Sequence, residues 1–348
     1  MRGGRPLPER SAAGDFVTAE AVAERAGVSR SAVSRTFTPG ASVSPAMRQR
    51  VLEAAETLGY RVNRVARSLV SAQSSMVGLV GTNLGTPFHA AQVAQLSEAL
   101  LRRGMECMLL NAAHPAGIAP LLERLLEFRA RAVVILSGSP PASIVEECLR
   151  SGLRVILISR PAPGMGAEAI LADDADGARL ALEHLLRAGC RRLALVGSGS
   201  GTPSIMRRMR AFRAGAAREG LTVAEWGTGP TGYDTGLQAA QTLLPGDDMD
   251  GAFCVTDLLA LGFMDGARAI LGLRVPRELS VIGFDDIPQA AWQAYRLTTI
   301  RQSVPRLTEA VMAALEREGR SRRTTLTLPV ELVERDSVRA VNHTVPTA

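Results

Sequence analysis

Arg30, Ser31, Ser34 and Arg35 fall at helical spacing on the face opposite Ala32, Val33 and Phe37. A guanidinium on such a face can pair bidentately with a guanine edge, while hydroxyls and backbone donors hold phosphates and set register. The competing reading is a solvated helix face, where arginines are common and carry no role. Elsewhere the chemistry is sparse. The chain contains no lysine, which excludes a P-loop lysine, a Schiff-base lysine and the S-x-x-K nucleophile arrangement. The run Gly197-Ser198-Gly199-Ser200-Gly201 could cradle a phosphate, but a flexible strand-to-helix loop at a cleft mouth is its simpler role. His89, His114, His184 and His343 show no ligand spacing, and Cys107, Cys148, Cys190 and Cys254 form no C-x-x-C pair. No metal and no cofactor are therefore expected, and the cysteines read as free thiols of a reducing cytosol.

The arginine face needs a frame, and the flanking residues supply one. Thr18 and Ser29 are N-cap types before two short helices, the first running Ala19 to Ala26 with Ala21, Val22 and Ala26 on its apolar face and ending at Gly27. Ser44 followed by Pro45 opens a third helix, with Val51, Leu52, Ala55 and Leu58 as its buried stripe and Gly59 as its exit. Charge is concentrated on this front end. Residues 1–75 hold eleven arginines against six carboxylates, so five of the chain's six surplus positive charges lie there, a patch suited to phosphates. Behind it, apolar runs alternate with helix-like stretches: Met76 to Val80, Met105 to Leu110, Ala132 to Leu136, Arg154 to Ile158, Leu193 to Val196, Gly251 to Val255 and Leu279 to Phe284. That alternation predicts parallel, doubly wound sheets with ligands at the strand carboxyl ends. No run is long enough to span a bilayer, and residues 1–15 lack the apolar core of an export signal, so a cytoplasmic protein without membrane partners is expected.

At this point the front end resembles the headpiece of the LacI/GalR family of bacterial transcription regulators. The resemblance rests on AGVS at Ala26 to Ser29, VSR at Val33 to Arg35, RVLEAAETLGY at Arg50 to Tyr60 and NRVARSL at Asn63 to Leu69. It continues through GARLALEHLLRAGCRRLALVG, LLALGFMDGARAI, RVPRELSVIGFDDIP and LTTIRQSV to about Arg335. It implies an all-α helix-turn-helix headpiece followed by an α/β, periplasmic-binding-protein-like core of two doubly wound parallel-sheet subdomains. The boundaries it implies are a disordered arm at 1–15, the headpiece at 16–61 and a hinge helix and linker at 62–75. An effector-binding and dimerisation core follows at 76–340, with crossovers near Asp173, Ile300 and Arg322, and then a tail at 341–348.

The same resemblance distributes roles. Arg30 and Ser31 read base edges; Ser29, Ser34 and Arg35 hold phosphates; Thr18 joins the DNA-contacting set. Asn63, Arg67 and Leu69 belong to a hinge too short to be helical alone, which orders on the operator and wedges Leu69 into the minor groove. The family's usual proline is Val62 here, and its leucine-asparagine-glycine turn is replaced within Thr36 to Ser42. In the cleft, Arg208 and Asp285 are the leading effector-binding candidates, with Asn83, Arg160 and Asp257 beside them, for a sugar or a small acid. A helix from Phe88 to Arg102, bearing Val93, Leu96, Leu100 and Leu101, corresponds to a face that pairs protomers, against the plainer reading of a core helix. The implied function is a DNA-binding transcriptional repressor that grips a palindromic operator as a homodimer under control of a small-molecule effector, and not an enzyme. The alternatives are a sugar-like-molecule binding protein without DNA function and a doubly wound enzyme.

Overall fold

A computed structural model describes residues 16–38, 40–62, 74–138, 140–162, 166–246, 248–317 and 324–340. The chain divides into two compact units, Met1–Gln73 and Ser74–Ala348. Asn63, Arg67 and Leu69, the arm at 1–15 and the tail at 341–348 lie outside the described residues.

The first unit holds α1 (Ala19–Ala26), α2 (Arg30–Thr36) and α3 (Pro45–Leu58). Thr18, Ser29 and Ser44 cap them, their hydroxyls accepting from the amides of Ala21, Ala32 and Met47. The chain leaves α1 and α3 through Gly27 and Gly59 in the left-handed region, at φ 65° and 68°, where a side chain is disfavoured. Val22, Ala23, Ala26, Val33, Val51, Ala54 and Ala55 make the small core, edged by the Phe37 and Tyr60 rings 5.7 Å apart. One residue of the expected α3 stripe is displaced: Leu52 is 42% exposed, and Ala54 takes its place because the helix meets α1 and α2 along the 51–54–55–58 row. Arg48 turns inward, its guanidinium donating to the Thr36 carbonyl at 2.8 Å and the Ala41 carbonyl at 3.4 Å. Arg48→Ala should therefore cost the headpiece about 1 kcal/mol by loosening the loop onto α3, read from the thermal transition of the helical signal.

The second unit is built from alternating elements around two sheets. The first sheet takes β1 (Met76–Thr82), β2 (Glu106–Ala112), β3 (Ala132–Ile135), β4 (Arg154–Ile158) and β5 (Glu168–Ala172). Between these strands run α4 (Pro87–Arg102), α5 (Ile118–Glu127) and α6 (Ala142–Arg150). The chain then enters the second sheet through α7 (Asp174–Arg187), β6 (Leu193–Val196), α8 (Pro203–Arg218), β7 (Val223–Trp226), α9 (Tyr233–Leu243), β8 (Gly251–Cys254), α10 (Asp257–Asp265), β9 (Ser280–Asp285) and β10 (Thr298–Gln302). It returns through α11 (Val304–Glu316) and β11 (Thr324–Leu328) to the first sheet and ends in the second with β12 (Val330–Val333). The strand orders are β11-β5-β4-β3-β1-β2 and β12-β10-β9-β8-β6-β7. Every pairing is parallel except β12 on β10.

The chain thus changes sheet between Ala172 and Asp174, between Gln302 and Val304, and between Leu328 and Val330. The third crossing differs from the expected place near Arg322, because β11 first adds a strand to the edge of the first sheet. The α4 face also differs from a pure pairing surface. Leu96 and Leu100 are fully buried in a core shared with Val311 and Leu315 of α11, Val93 packs at its edge, and Leu101 is 65% exposed. Helices α9 and α10 touch backbone to backbone: a Cβ on Gly262 would stand 1.9 Å from the Tyr233 carbonyl oxygen, and one on Gly236 would stand 2.1 Å from that of Leu259. That contact holds α10 against the second sheet, where its first turn helps to build the cleft.

Candidate functional site

Two surfaces carry chemistry, one in each unit. On the first, Arg30, Ser31, Ser34 and Arg35 are all exposed along α2, while Ala32, Val33 and Thr36 are buried. Neither Arg30 nor Arg35 makes an ion pair or side-chain hydrogen bond among the described residues, so both guanidiniums present their full donor sets to solvent. Thr18 and Ser29 are already used as caps, and the Ser29 and Ser31 hydroxyls lie 2.9 Å apart. Ser29 therefore orients α2 as well as offering an oxygen. The exposed residues are the four expected from sequence; of the expected inward set, Ala32 and Val33 are buried and Phe37 is half-buried, while Thr36 is buried in addition.

The second surface is a cavity of about 670 Å³ between the carboxyl ends of the two sheets. Residues at or just beyond the ends of β1, β3, β4, β8, β9 and β10 converge on it: Asn83, Ser137, Arg160, Thr256, Asp285 and Gln302. Parallel strands place their last residues on one edge, which is why positions far apart in sequence meet here. Asn83, Ser159 and Asp285, all lining the cavity, hold φ of 54°, 59° and 124°. Non-glycine residues in that region are strained and persist where surrounding structure over-determines them, as at ligand clamps.

Arg208 is the electrostatic centre. Its Nε donates to Asp174 Oδ1 at 2.8 Å, its Nη1 donates to the Val255 carbonyl at 2.8 Å and reaches Asp285 Oδ1 at 3.4 Å. Its guanidinium carbon lies 3.5 Å over the Phe284 ring. Gln302 Nε2 donates to the same Asp285 oxygen at 2.7 Å. Burial pushes the Asp285 carboxyl above its ordinary range, against the pull of Arg208 and Gln302. Arg207 closes the cluster from outside, pairing with Asp174 Oδ2 at 2.7 Å and donating to the Ser159 carbonyl.

Four of the five sequence candidates, Asn83, Arg160, Arg208 and Asp285, line the cavity together. Asp257 does not. It is fully buried, its oxygens accepting from the Thr299 hydroxyl at 2.5 Å and the Ile287 amide at 2.8 Å, and its neighbour Thr256 occupies the wall instead. The first turn of α10 points residue 257 inward and residue 256 outward, so the adjacent position carries the surface. Burial, reinforced by the Asp285 charge, raises the Asp257 carboxyl above its ordinary 3.8. A raised acid gives stability that is complete below the unfolded value and is lost as pH rises through the folded one. The second unit should accordingly lose stability on going from pH 5 to pH 9, and Asp257→Asn should flatten that slope in melting temperatures measured across the range. Asp174, Gln302 and Thr299 were not anticipated from sequence. Only the DD pair at the first crossover hinted at the first of them.

Known families match the chain in each of its two units. The model of bacterial regulatory proteins of the lacI family matches residues 18–63, and that of the periplasmic binding protein-like domain matches residues 182–338. The transcriptional regulator GalR of Escherichia coli strain K12 is 31% identical over 303 residues, covering 86% of this chain and 88% of GalR. The transcriptional repressor PurR of Haemophilus influenzae is 28% identical, with 94% of this chain and all of PurR covered. Among solved structures, the Lac repressor dimer bound to operator and the anti-inducer ONPF aligns with a TM-score of 0.84 at 26% identity, over 94% of this chain and 100% of that one. A headpiece with a capped arginine face, a two-sheet core with a cleft at the strand ends, and relatives matched along nearly their whole length together place the chain in the LacI family of bacterial transcriptional regulators.

Proposed function

We propose that this protein represses transcription by binding a palindromic operator as a homodimer, with α2 in the major groove, and that a small molecule in the cavity sets its operator affinity. The observation that carries the DNA half is the free pair of guanidiniums on α2, beside Ser31 and Ser34, in the unit that holds nearly all of the surplus positive charge. Arg30 and Ser31 read bases; Thr18, Ser29, Ser34 and Arg35 fix phosphates. Asn63, Arg67 and Leu69 act as the hinge, and Leu69 is the minor-groove wedge. The cavity half rests on Arg208, Asp285, Asn83 and Arg160 facing one space between two subdomains. A ligand there changes DNA binding only by favouring one arrangement of the subdomains over the other. The protein works in the cytoplasm and has no catalytic step to perform.

Fluorescence anisotropy of the full chain on a palindromic duplex tests this. Affinity should fall by about a thousandfold between roughly 50 and 200 mM salt as counterions are displaced from six or more phosphates. Absence of operator binding at the lower salt, with a small molecule still bound by the core, would favour a binding protein without DNA function.

A further inference from the structure

Two side chains reach across the cavity from opposite sides. Arg207, on α8 of the second subdomain, donates through Nη2 to the carbonyl of Ser159, just beyond β4 in the first, at 3.1 Å. Phe88, in the first turn of α4 of the first subdomain, packs against the buried core of the second, whose Ile205 and Ile287 line the cavity with it. Neither Ser159 nor Phe88 belongs to a crossover, so neither contact is imposed by the path of the chain.

The Arg207 contact is built from both ends. Ser159 leaves β4 at φ 59°, which turns its carbonyl away from the strand, while its amide still donates to the Ile170 carbonyl of β5 at 2.9 Å. The acceptor is thus fixed to the first sheet. On the donor side, Nε and Nη2 of Arg207 both hold Asp174 Oδ2, at 2.9 and 2.7 Å, and the other oxygen of that carboxylate accepts from Arg208. Consecutive arginines therefore share one buried acid. Arg208 lines the cavity and touches Asp285, whereas Arg207, 30% exposed, holds the opposite subdomain. Whatever fills the cavity is one carboxylate away from the Arg207 contact.

We propose that Arg207 and Phe88 are positioning residues, a two-point latch that holds the two subdomains in the closed arrangement from which operator affinity is set. The inference rests on the reading that the subdomain arrangement controls DNA binding. A charge-assisted hydrogen bond present in only one of two arrangements biases their equilibrium by about tenfold or more, and a partly buried phenyl contact contributes about as much. The latch is polar on one side of the cavity and apolar on the other, so losing one point leaves the other to act alone.

Pulsed electron-spin distance measurements on the full chain test the latch. Cys107→Ser removes the one cysteine that is not buried, and nitroxides on Ser143→Cys and Asp234→Cys, exposed positions of the first and second subdomains, report their separation in labelled chains diluted with unlabelled chain. Arg207→Ala and Phe88→Ala should each raise the share of separations longer than the parent's by about tenfold, and the double variant should raise it further. Arg213→Ala, which breaks the Arg213–Glu225 pair on the same helix within the second subdomain, should leave the distribution as it was. An Arg207 that only neutralises Asp174 would lower the melting temperature on truncation without moving the distribution, and that result would overturn the proposal. So would equal shifts in Arg207→Ala and Arg213→Ala, or a double variant indistinguishable from the parent. Operator affinity, read by anisotropy on the same samples, should change by about fivefold or more in each latch variant. A longer separation with unchanged operator affinity would uphold the latch and count against the subdomain arrangement as the control of DNA binding.

Discussion

Arg208→Ala should cost the second unit about 3–5 kcal/mol and abolish the effector response, since it leaves Asp285 without its cation and Asp174 with Arg207 alone. The Arg208 side chain is 4% exposed and that of Asp174 is 1% exposed, so no water replaces the lost donor at Asp174. The Val255 carbonyl and the face of Phe284 lose their partner in the same step. Asp174 stands at the first crossover between sheets, and Gln302, which shares Asp285 with Arg208, stands at the second. The cavity-lining arginine is thus bonded directly at the first of the three crossovers and through Asp285 to the second, and a ligand competing for Asp285 alters the same network. Both tryptophans, Trp226 and Trp292, lie in the second unit, so urea unfolding followed by their fluorescence reports that unit alone. A transition shifted by less than about 1 kcal/mol would show that Asp174 and Asp285 find other partners.

Arg30→Ala should weaken operator binding by roughly ten- to a hundredfold while leaving the fold intact, because a bidentate guanine contact is worth about 1–3 kcal/mol of discrimination. Its side chain is exposed and makes no ion pair or hydrogen bond among the described residues, so truncation removes nothing from the headpiece core. The loss should concentrate at one base pair of each half-site. Arg35→Ala, at a position proposed to hold phosphate, should weaken all duplexes about equally and reduce the salt slope by about one. Anisotropy titrations over single-base operator variants distinguish these patterns. Equal losses on every duplex for Arg30→Ala would make it another phosphate contact.

The headpiece was legible almost to the residue. Thr18, Ser29 and Ser44 announce helix starts and Gly27 and Gly59 announce exits by local chemistry that acts over one turn, independent of the rest of the chain. The misplacement of Leu52 shows the limit even there, since which of two adjacent apolar residues is buried depends on where the neighbouring helices lie. In the core, six of the seven apolar runs are strands buried almost without a break, and the seventh, Met105–Leu110, forms a part-exposed edge strand. The Glu168–Ala172, Val223–Trp226, Thr298–Gln302, Thr324–Leu328 and Val330–Val333 strands escaped notice. All five carry polar or charged residues among the apolar ones and three, Val223–Trp226, Thr324–Leu328 and Val330–Val333, lie at sheet edges, so their hydrophobic signal is weak.

What the sequence determined by itself is local: the helix caps, the arginine face of α2, the concentration of charge at the front end, the absence of lysine and the alternation that demands parallel sheets. The tertiary structure decided which polar side chains meet. Arg208 and Asp285 share a cavity wall with Gln302, and Arg208 also pairs with Asp174, whereas Asp257, as plausible by position, is sealed beneath the surface by Thr299 and Ile287. Caps and periodicity are set by interactions within a few residues, but a cleft between two sheets is assembled from strand ends distant along the chain. One residue of rotation at the start of α10 separates a cavity-lining hydroxyl from a buried acid, and no spacing rule carries that information.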